Sequence, residues 1–221
     1  MHLAIFGGNG FIGRRVCRRA VADGHDVTSI ARSGPPAPDQ RGAWAEAVSW
    51  LAGDVFAPQE YRDALAGVDA VVHSIGIIDE SPREGVTFER VNGDAAIVAA
   101  LESERAGVDR FVLVSSAAQP PRVREAYLTA KRRAEAAIAD LDLSTVVLRP
   151  GPVYGPAQPH FSGVVNRLLA LIDTVGPVTE RLGDGRPLDV ETVGDAVYRT
   201  AVGTDEPDAP LGPGEIATLT D

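Results

Sequence analysis

The stretch IFGGNGFIGRR, residues 5–15, limits the fold of this chain more than any other. It joins an apolar run, HLAIF, to a helical pattern and places Gly7, Gly8, Gly10 and Gly13 within seven residues. Gly7, Gly10 and Gly13 fit G-x-x-G-x-x-G, and Gly8, Gly10 and Gly13 also fit G-x-G-x-x-G. Positions without side chains let the backbone turn sharply and approach a pyrophosphate, whose charge then rests on the N-terminus of the following helix. A glycine loop between strand and helix therefore predicts a nucleotide-holding α/β fold, with Gly7, Gly10, Phe11, Ile12, Gly13 and Arg14 at the cofactor.

The rest of the first 150 residues agrees. Short β-rich runs alternate with helical patterns, as βαβ units and a parallel sheet require. Strands are expected at His2–Phe6, Asp26–Ala31, Val48–Leu51, Ala70–Ser74, Arg110–Ser115 and Thr145–Leu148. Helices are expected at Phe11–Asp23, Gln59–Leu65, Val86–Arg105 and Arg122–Leu141. Runs such as AVVH and FVLV are apolar throughout, as strands covered on both faces should be. The expectation is a Rossmann-type, doubly wound α/β domain over 1–150, with a small substrate-side part at 151–221 that is intertwined with it. In that second part the pattern predicts a helix at Phe161–Ile172, a strand at Arg186–Val190, a helix at Val193–Val202 and a last strand at Glu215–Leu219. RSGPPAPDQRGAWAEA reads as an insertion over the cofactor edge, with Trp44 and Trp50 packing it, and GTDEPDAPLGPG as a turn-rich linker.

Charge and cysteine content narrow the function. The net charge of −10 opposes general nucleic-acid binding, because polyphosphate is repelled. One cysteine, Cys17, excludes an internal disulfide and fits a reducing compartment. Four scattered histidines offer no metal-ligand spacing, and His73, at the end of a buried run, reads as core. No apolar run is long enough to span a bilayer, so a cytoplasmic location is expected. The acidic excess, with arginine in place of lysine, matches a halophile-like, GC-rich source.

The end of the second strand discriminates between dinucleotides. An acid there bonds the ribose 2′-hydroxyl of NAD, whereas an arginine accommodates the 2′-phosphate of NADP. VTSIARSG carries Ala31 and Arg32 at that point, which predicts NADP(H) over NAD(H). Asp54 and Val55, after the third strand, are placed at the adenine, and Ser74, Ile75 and Gly76, after the fourth, at the adenosine ribose.

Of the 21 Lys and Arg residues only Lys131 is a lysine, and it lies four residues after Tyr127 in EAYLTAKRRAEAA. On a helix the two share a face. A free phenol has a pKa of about 10, so proton transfer near neutrality calls for a drop worth roughly 4 kcal/mol. One ammonium at about 4 Å supplies ~4 kcal/mol at an effective dielectric of about 20 and only ~1 kcal/mol in water. A partly desolvated lysine suffices, and its compact ammonium can also bond adjacent ribose hydroxyls, where a planar guanidinium fits poorly.

With these residues in view, GGNGFIG, YLTAK eleven residues past SS, and LRPGPVYGP resemble the short-chain dehydrogenase/reductase superfamily, in its extended and atypical, epimerase/dehydratase-like branches. The resemblance implies that Ser116, or Ser115, bonds the substrate carbonyl, that Tyr127 transfers the proton, and that Lys131 tunes the phenol and holds the ribose. It further implies that Asn92 supports a water or the lysine, and that Pro150, Gly151 and Val153 touch the nicotinamide carboxamide, with Ser115, Tyr127 and Lys131 also at the cofactor. GGNGFIGRRVCRRAV, VVHSIGI and YLTAKRRAE are similar to atypical members linked to ubiquinone biosynthesis and to the NADPH-binding accessory subunit of respiratory complex I. Two functions follow. One is an NADP(H)-dependent oxidoreductase or epimerase acting on a hydroxyl/carbonyl pair of a small molecule. The other is a non-catalytic NADPH holder in a quinone-related or respiratory complex, associated peripherally or as a homodimer.

Overall fold

A computed structural model describes residues 1–38, 41–121, 123–205 and 207–219. Asp39 and Gln40 of the insertion, Arg122 at the start of the expected fourth helix and Glu206 of the linker lie outside the described residues.

Strands β1 (His2–Phe6), β2 (Asp26–Ala31), β3 (Val48–Ala52), β4 (Ala70–His73), β5 (Arg110–Val114) and β6 (Ser144–Leu148) form one parallel sheet in the order β3-β2-β1-β4-β5-β6. The order reverses between β1 and β4, which opens the crevice at the carboxyl ends where such sheets bind ligands. Residues alternate between two apolar cores, as the period of two demands. Leu3, Ile5, Val72 and Val112 enter one core, and Ala4, Phe6, Val71 and Phe111 the other.

Helix α1 (Gly13–Ala22) covers the first face, and α2 (Ala95–Ala106) and α3 (Ala126–Ala139) cover the second. The fully buried Ala95, Ala96, Ala99 and Ala100 let α2 lie close on the sheet. Just before it, the chain from Glu89 to Asp94 makes a π-helical turn where an α-helix from Val86 was expected. Gln59–Leu65 forms two 3-10 turns rather than a helix. Trp44 and Trp50 meet edge to face at 5.9 Å beneath the insertion.

The C-terminal residues share the core of the sheet domain. A parallel pair, β7 (Val153–Tyr154) and β8 (Leu188–Asp189), leads into α6 (Val190–Val202), whose Val193 and Val197 join Leu3 and Ile5. Between them lie α4 (Gly163–Asp173) and α5 (Gly176–Arg181). The strand expected at Arg186–Val190 is cut short because Asp189 caps α6, accepting a hydrogen bond from Glu191 N at 2.7 Å. The last expected strand, Glu215–Leu219, is instead helix α7 (Pro213–Thr218). Pro213 sits at its first turn and Glu215 reaches back to Gly212 N at 2.9 Å.

Candidate active site

The glycine loop closes on itself beneath the sheet's carboxyl edge. Gly7 has φ +82° and its amide donates to Ile30 O at 2.9 Å, while Gly10 N donates to Gly7 O at 2.8 Å. A Cβ on Gly13 would lie 2.8 Å from Gly8 Cα and closer still to the Gly7 carbonyl oxygen, so α1 can start this near the loop only with glycine there. Ser74 ties the end of β4 to the same loop by donating to Phe6 O at 2.9 Å. The result is a bare backbone cradle at the start of a helix, which fits the pyrophosphate of a dinucleotide.

Around the cradle, Arg14 Nε donates to Asn9 O at 2.9 Å and Asn9 Nδ2 to Ser33 Oγ at 2.8 Å. Arg32, beside Ser33, is exposed, and its guanidinium takes part in no ion pair among the described residues. Phe11 lies under the Arg15 guanidinium at 5.0 Å, and Ile12 packs on the first core. Asp54 accepts from Phe56 N at 3.0 Å within its own turn, followed by the buried Val55. Ile75 is half-buried and Gly76 exposed.

A second group of residues gathers at the ends of β4, β5 and β6. Tyr127, in the first turn of α3, packs edge to face on Phe88 at 5.6 Å. Its hydroxyl lies near the Ser116 side chain, whose Oγ donates to Ala118 O at 2.9 Å. Lys131, one turn on, is 7% exposed, with Nζ 5.6 Å from the Tyr127 ring centre and donating to Val114 O at 3.4 Å. Asn92, in the π-helical turn, accepts from Ile77 N at 2.8 Å and donates to Ile77 O at 3.0 Å. Gly76 lies over both, since a Cβ there would stand 3.4 Å from Asn92 Oδ1 and 3.8 Å from Lys131 Nζ. Pro150 O accepts from Ala117 N at 2.9 Å, which joins the Ser116 loop to Pro150, Gly151 and Val153.

The two serines differ in their partners. Ser115 donates to the carboxylate of Glu135, which also pairs with Arg132 and Arg149, so its hydroxyl is engaged inside an ion-pair cluster. Ser116 Oγ donates to Ala118 O at 2.9 Å and lies near the Tyr127 hydroxyl. Arg132, Glu135 and Arg149 are residues that motif reading passed over. Arg132 Nη2 donates to Ser116 O at 2.8 Å and thus fixes the serine loop, and the R-x-x-E spacing after Lys131 was its one visible signal. Burial raises the Glu135 carboxyl, but hydrogen bonds from Arg149 and Ser115 and the charges of Arg132 and Arg149 outweigh it and hold the group below its ordinary range. Arg186 was also missed. Its backbone lies against Gly151 and its buried Nε has no hydrogen-bond partner among the described residues.

One expectation is corrected. The phenol of Tyr127 is pushed up, not down, because burial disfavours the phenolate more than the nearby Ser116 hydroxyl and the Arg132 charge favour it. Lys131 stands against the ring rather than the hydroxyl, and burial lowers the amine itself to about 8. Cys17 is buried, its thiol raised to about 12 by that burial, with Sγ donating to Gly8 O at 3.7 Å, so it is structural. No group of acidic, histidine or cysteine side chains suited to a metal occurs among the described residues. No helix among them is long and apolar enough to cross a membrane. His160 is exposed, with its amide bonded to Gln158.

The sheet order and the glycine cradle at its switch point define a dinucleotide-binding α/β protein. A family profile described as NAD(P)H-binding matches residues 7–162, and the chain belongs to that family, in its atypical short-chain dehydrogenase/reductase branch. It is 32% identical over 213 residues to a chloroplastic protein of Arabidopsis thaliana, covering 92% of this chain and 68% of that protein. It is 28% identical over 198 residues to MIOREX complex component 2 of Saccharomyces cerevisiae, covering 67% of this chain and 71% of that protein. With the ceramide reductase of Caulobacter vibrioides it shares 36% identity over 163 residues, 73% of this chain and 49% of the reductase. Among solved structures, the UDP-glucuronic acid 4-epimerase of Bacillus cereus with NAD has a TM-score of 0.69 at 16% identity, covering 96% of this chain and 76% of that chain. MoeE5 with UDP-glucuronic acid and NAD has a TM-score of 0.68 at 22% identity, covering 100% and 81%. These two likenesses show the fold.

Proposed function

We propose that this chain is an NADP(H)-dependent reductase of a small-molecule ketone, with Tyr127 as proton donor. The observation that carries the reading is the buried Tyr127 phenol, raised by that burial, near Ser116 and one helical turn before the buried Lys131, at the mouth of a nucleotide cradle. A bound reduced nicotinamide supplies the hydride for the carbonyl carbon. Tyr127 gives its phenolic proton to the carbonyl oxygen, Ser116 holds that oxygen, and Lys131 keeps a positive charge beside the phenolate left behind. Asn92 fixes the Ile77 backbone over the amine, and Pro150, Gly151 and Val153 line the nicotinamide end. The buried Arg186 Nε beside Gly151, without a hydrogen-bond partner among the described residues, suits an anionic group on the substrate. The relative named ceramide reductase supports carbonyl reduction as the reaction class. A raised phenol favours reduction over oxidation, which would need the phenolate as base.

Preference for NADP(H) rests on Arg32, which forms no ion pair among the described residues, beside Ser33 at the end of β2. Replacing Arg32 with Asp is expected to weaken NADPH binding by about 10- to 100-fold, the worth of a hydrogen bond to a charged group, and to leave NADH within a few fold. Fluorescence titration of both nucleotides reads this directly. Equal losses would remove the basis for the preference.

A second reading is favoured by one feature. Val164, Leu168, Leu171 and Val175 are 77%, 54%, 63% and 45% exposed along one face of α4 and the turn after it, an apolar stripe that suits a protein partner. Together with the relative named as a complex component, it supports an NADPH-holding assembly factor, associated peripherally with a larger complex or as a homodimer. Assay of NADPH oxidation against ketones, quinones and nucleotide sugars decides. Tight NADPH binding with no turnover on any of them favours the holder.

A further inference from the structure

Helix α4 is amphipathic the wrong way round. It buries none of its residues. Of the seven large apolar side chains exposed among the described residues, Val164, Val165, Leu168, Leu171 and Val175 lie on α4 and the turn after it. At about 100° per residue, Val164, Leu168 and Leu171 fall within roughly 60° of arc, and Asn166 and Asp173 stand on the opposite side. That opposite side is the one fastened to the rest of the chain. Asn166 Nδ2 donates to Gly155 O and its Oδ1 accepts from Gly155 N, both at 3.0 Å, while Asp173 accepts from the Tyr154 hydroxyl at 2.8 Å. A surface helix ordinarily turns its apolar stripe to the core and its polar face to water. Here polar side chains hold the body, and the apolar stripe is left for something outside the chain.

The stripe itself points to what covers it. Val164, Leu168, Leu171 and Val175 are spaced 4, 3 and 4, the seam of a helix pair rather than a broad core face. Read from either end the order is Val, Leu, Leu, Val, with the apolar Val165 and Ile172 placed alike beside it. A self-complementary patch is what a twofold contact between identical subunits requires. Charge agrees, because Asp173 is on the far side and an antiparallel copy sets Arg167 near Thr174 of the other chain, so no like charges meet. A membrane surface fits worse. Arg167 is the one cation on α4, and a protein of net charge −10 is repelled by an anionic leaflet. The stripe presents on the order of 500 Å² of apolar surface, so pairing buries about 1,000 Å² in all, the area of a weak but specific interface.

We propose that α4 is a dimer contact: it packs antiparallel on α4 of a second copy of this chain, about a twofold axis between Leu168 and Leu171, with Val164 of each copy against Val175 of the other. This gives an occupant to the stripe that favours the second functional reading, and it rests on α4 alone, so it holds for a reductase and for a holder alike.

Sedimentation of the full chain is expected to show a reversible monomer–dimer equilibrium with a dissociation constant on the order of 10 µM. Leu168→Glu sets two carboxylates beside the axis and should raise that constant by about 100-fold or more. Leu168 is exposed in the single chain, so the variant keeps its fold. The register is read by cross-linking, which needs no loss of packing. Cys17 is buried with its thiol raised to about 12, so introduced thiols react alone. In the double variant Val164→Cys, Val175→Cys, the two positions of one chain lie about 16 Å apart along the helix, too far for a disulfide, whereas the antiparallel pair brings each beside its counterpart in the copy. Mild oxidation should give a covalent dimer from the double variant and little from Val164→Cys alone. A wild type that stays monomeric at about 100 µM overturns the proposal. A dimer that ignores Leu168→Glu, or Val164→Cys linking to itself as readily as the double variant, overturns it too. A monomer that binds phosphatidylcholine vesicles, and loses them in Leu168→Glu, assigns the stripe to lipid and overturns it equally. None of these readouts involves turnover or NADPH, so they stand apart from the fate of the proposed function.

Discussion

Tyr127→Phe is expected to lower kcat/KM for NADPH-dependent ketone reduction by 10²- to 10⁴-fold, the usual worth of a positioned general acid, while NADPH binding changes little. The phenol occupies a defined seat. Its ring rests on Phe88 and its hydroxyl lies near Ser116, so phenylalanine keeps the packing and loses the proton. The wild-type pH profile carries the same claim. Burial shifts the phenol above its ordinary value, so the donor stays loaded through neutral pH and beyond. Lys131 is shifted down from 10.5 to about 8, so its ammonium is present below that pH and lost above it. Reduction should therefore fall on the alkaline side of about 8, before the phenol itself ionises. Residual activity of Tyr127→Phe near the wild-type level, with a flat profile across pH 8, would remove Tyr127 from the reaction.

The second large effect belongs to the cradle. Gly13→Ala places a Cβ 2.8 Å from Gly8 Cα, and nearer still to the Gly7 carbonyl oxygen, which are backbone atoms with no rotamer to yield. Either α1 moves outward or the Gly7–Gly10 turn opens. A displacement of about 1 Å is enough to cost on the order of 100-fold where groups must be aligned, and NADPH affinity is expected to fall by at least that. Gly163→Ala is the matched control, because a Cβ at the start of α4 meets nothing within 4 Å, and its NADPH affinity should equal that of wild type. Isothermal titration on the two variants separates the cases. Equal affinities for Gly13→Ala and wild type would mean that the nucleotide does not sit on this loop.

Much of this was legible from the residues because the sheet is buried on both faces. β1 and β2 begin and end as the apolar runs do, and β4 and β5 each stop one residue earlier, where Ser74 and Ser115 turn into side-chain hydrogen bonds. Where reading failed, local chemistry outweighed periodicity. EIATL alternates like a strand, yet the Gly212, Pro213 and Glu215 start signal makes it a helix. The π-helical turn at Asn92 has no signature in composition, although Gly93 lets it press against α3, where a Cβ would meet Ala130 O at 3.3 Å. The Tyr127–Lys131 pair was visible from spacing, but its electrostatics was not, since the depth of burial that raises the phenol depends on Phe88 from a distant segment. The clustering of Arg132, Arg149 and Ser115 on Glu135 is likewise a product of three elements meeting.

The account stands on a nucleotide whose nicotinamide end reaches Lys131. The single lysine resonance of 13Cε-labelled protein tests this most directly when NADPH is added beside 2′,5′-ADP, which carries the adenosine end alone. The predicted result is a clear shift of the lysine signal with NADPH and none with saturating 2′,5′-ADP. NADPH that binds tightly and leaves the lysine signal where it was would contradict it.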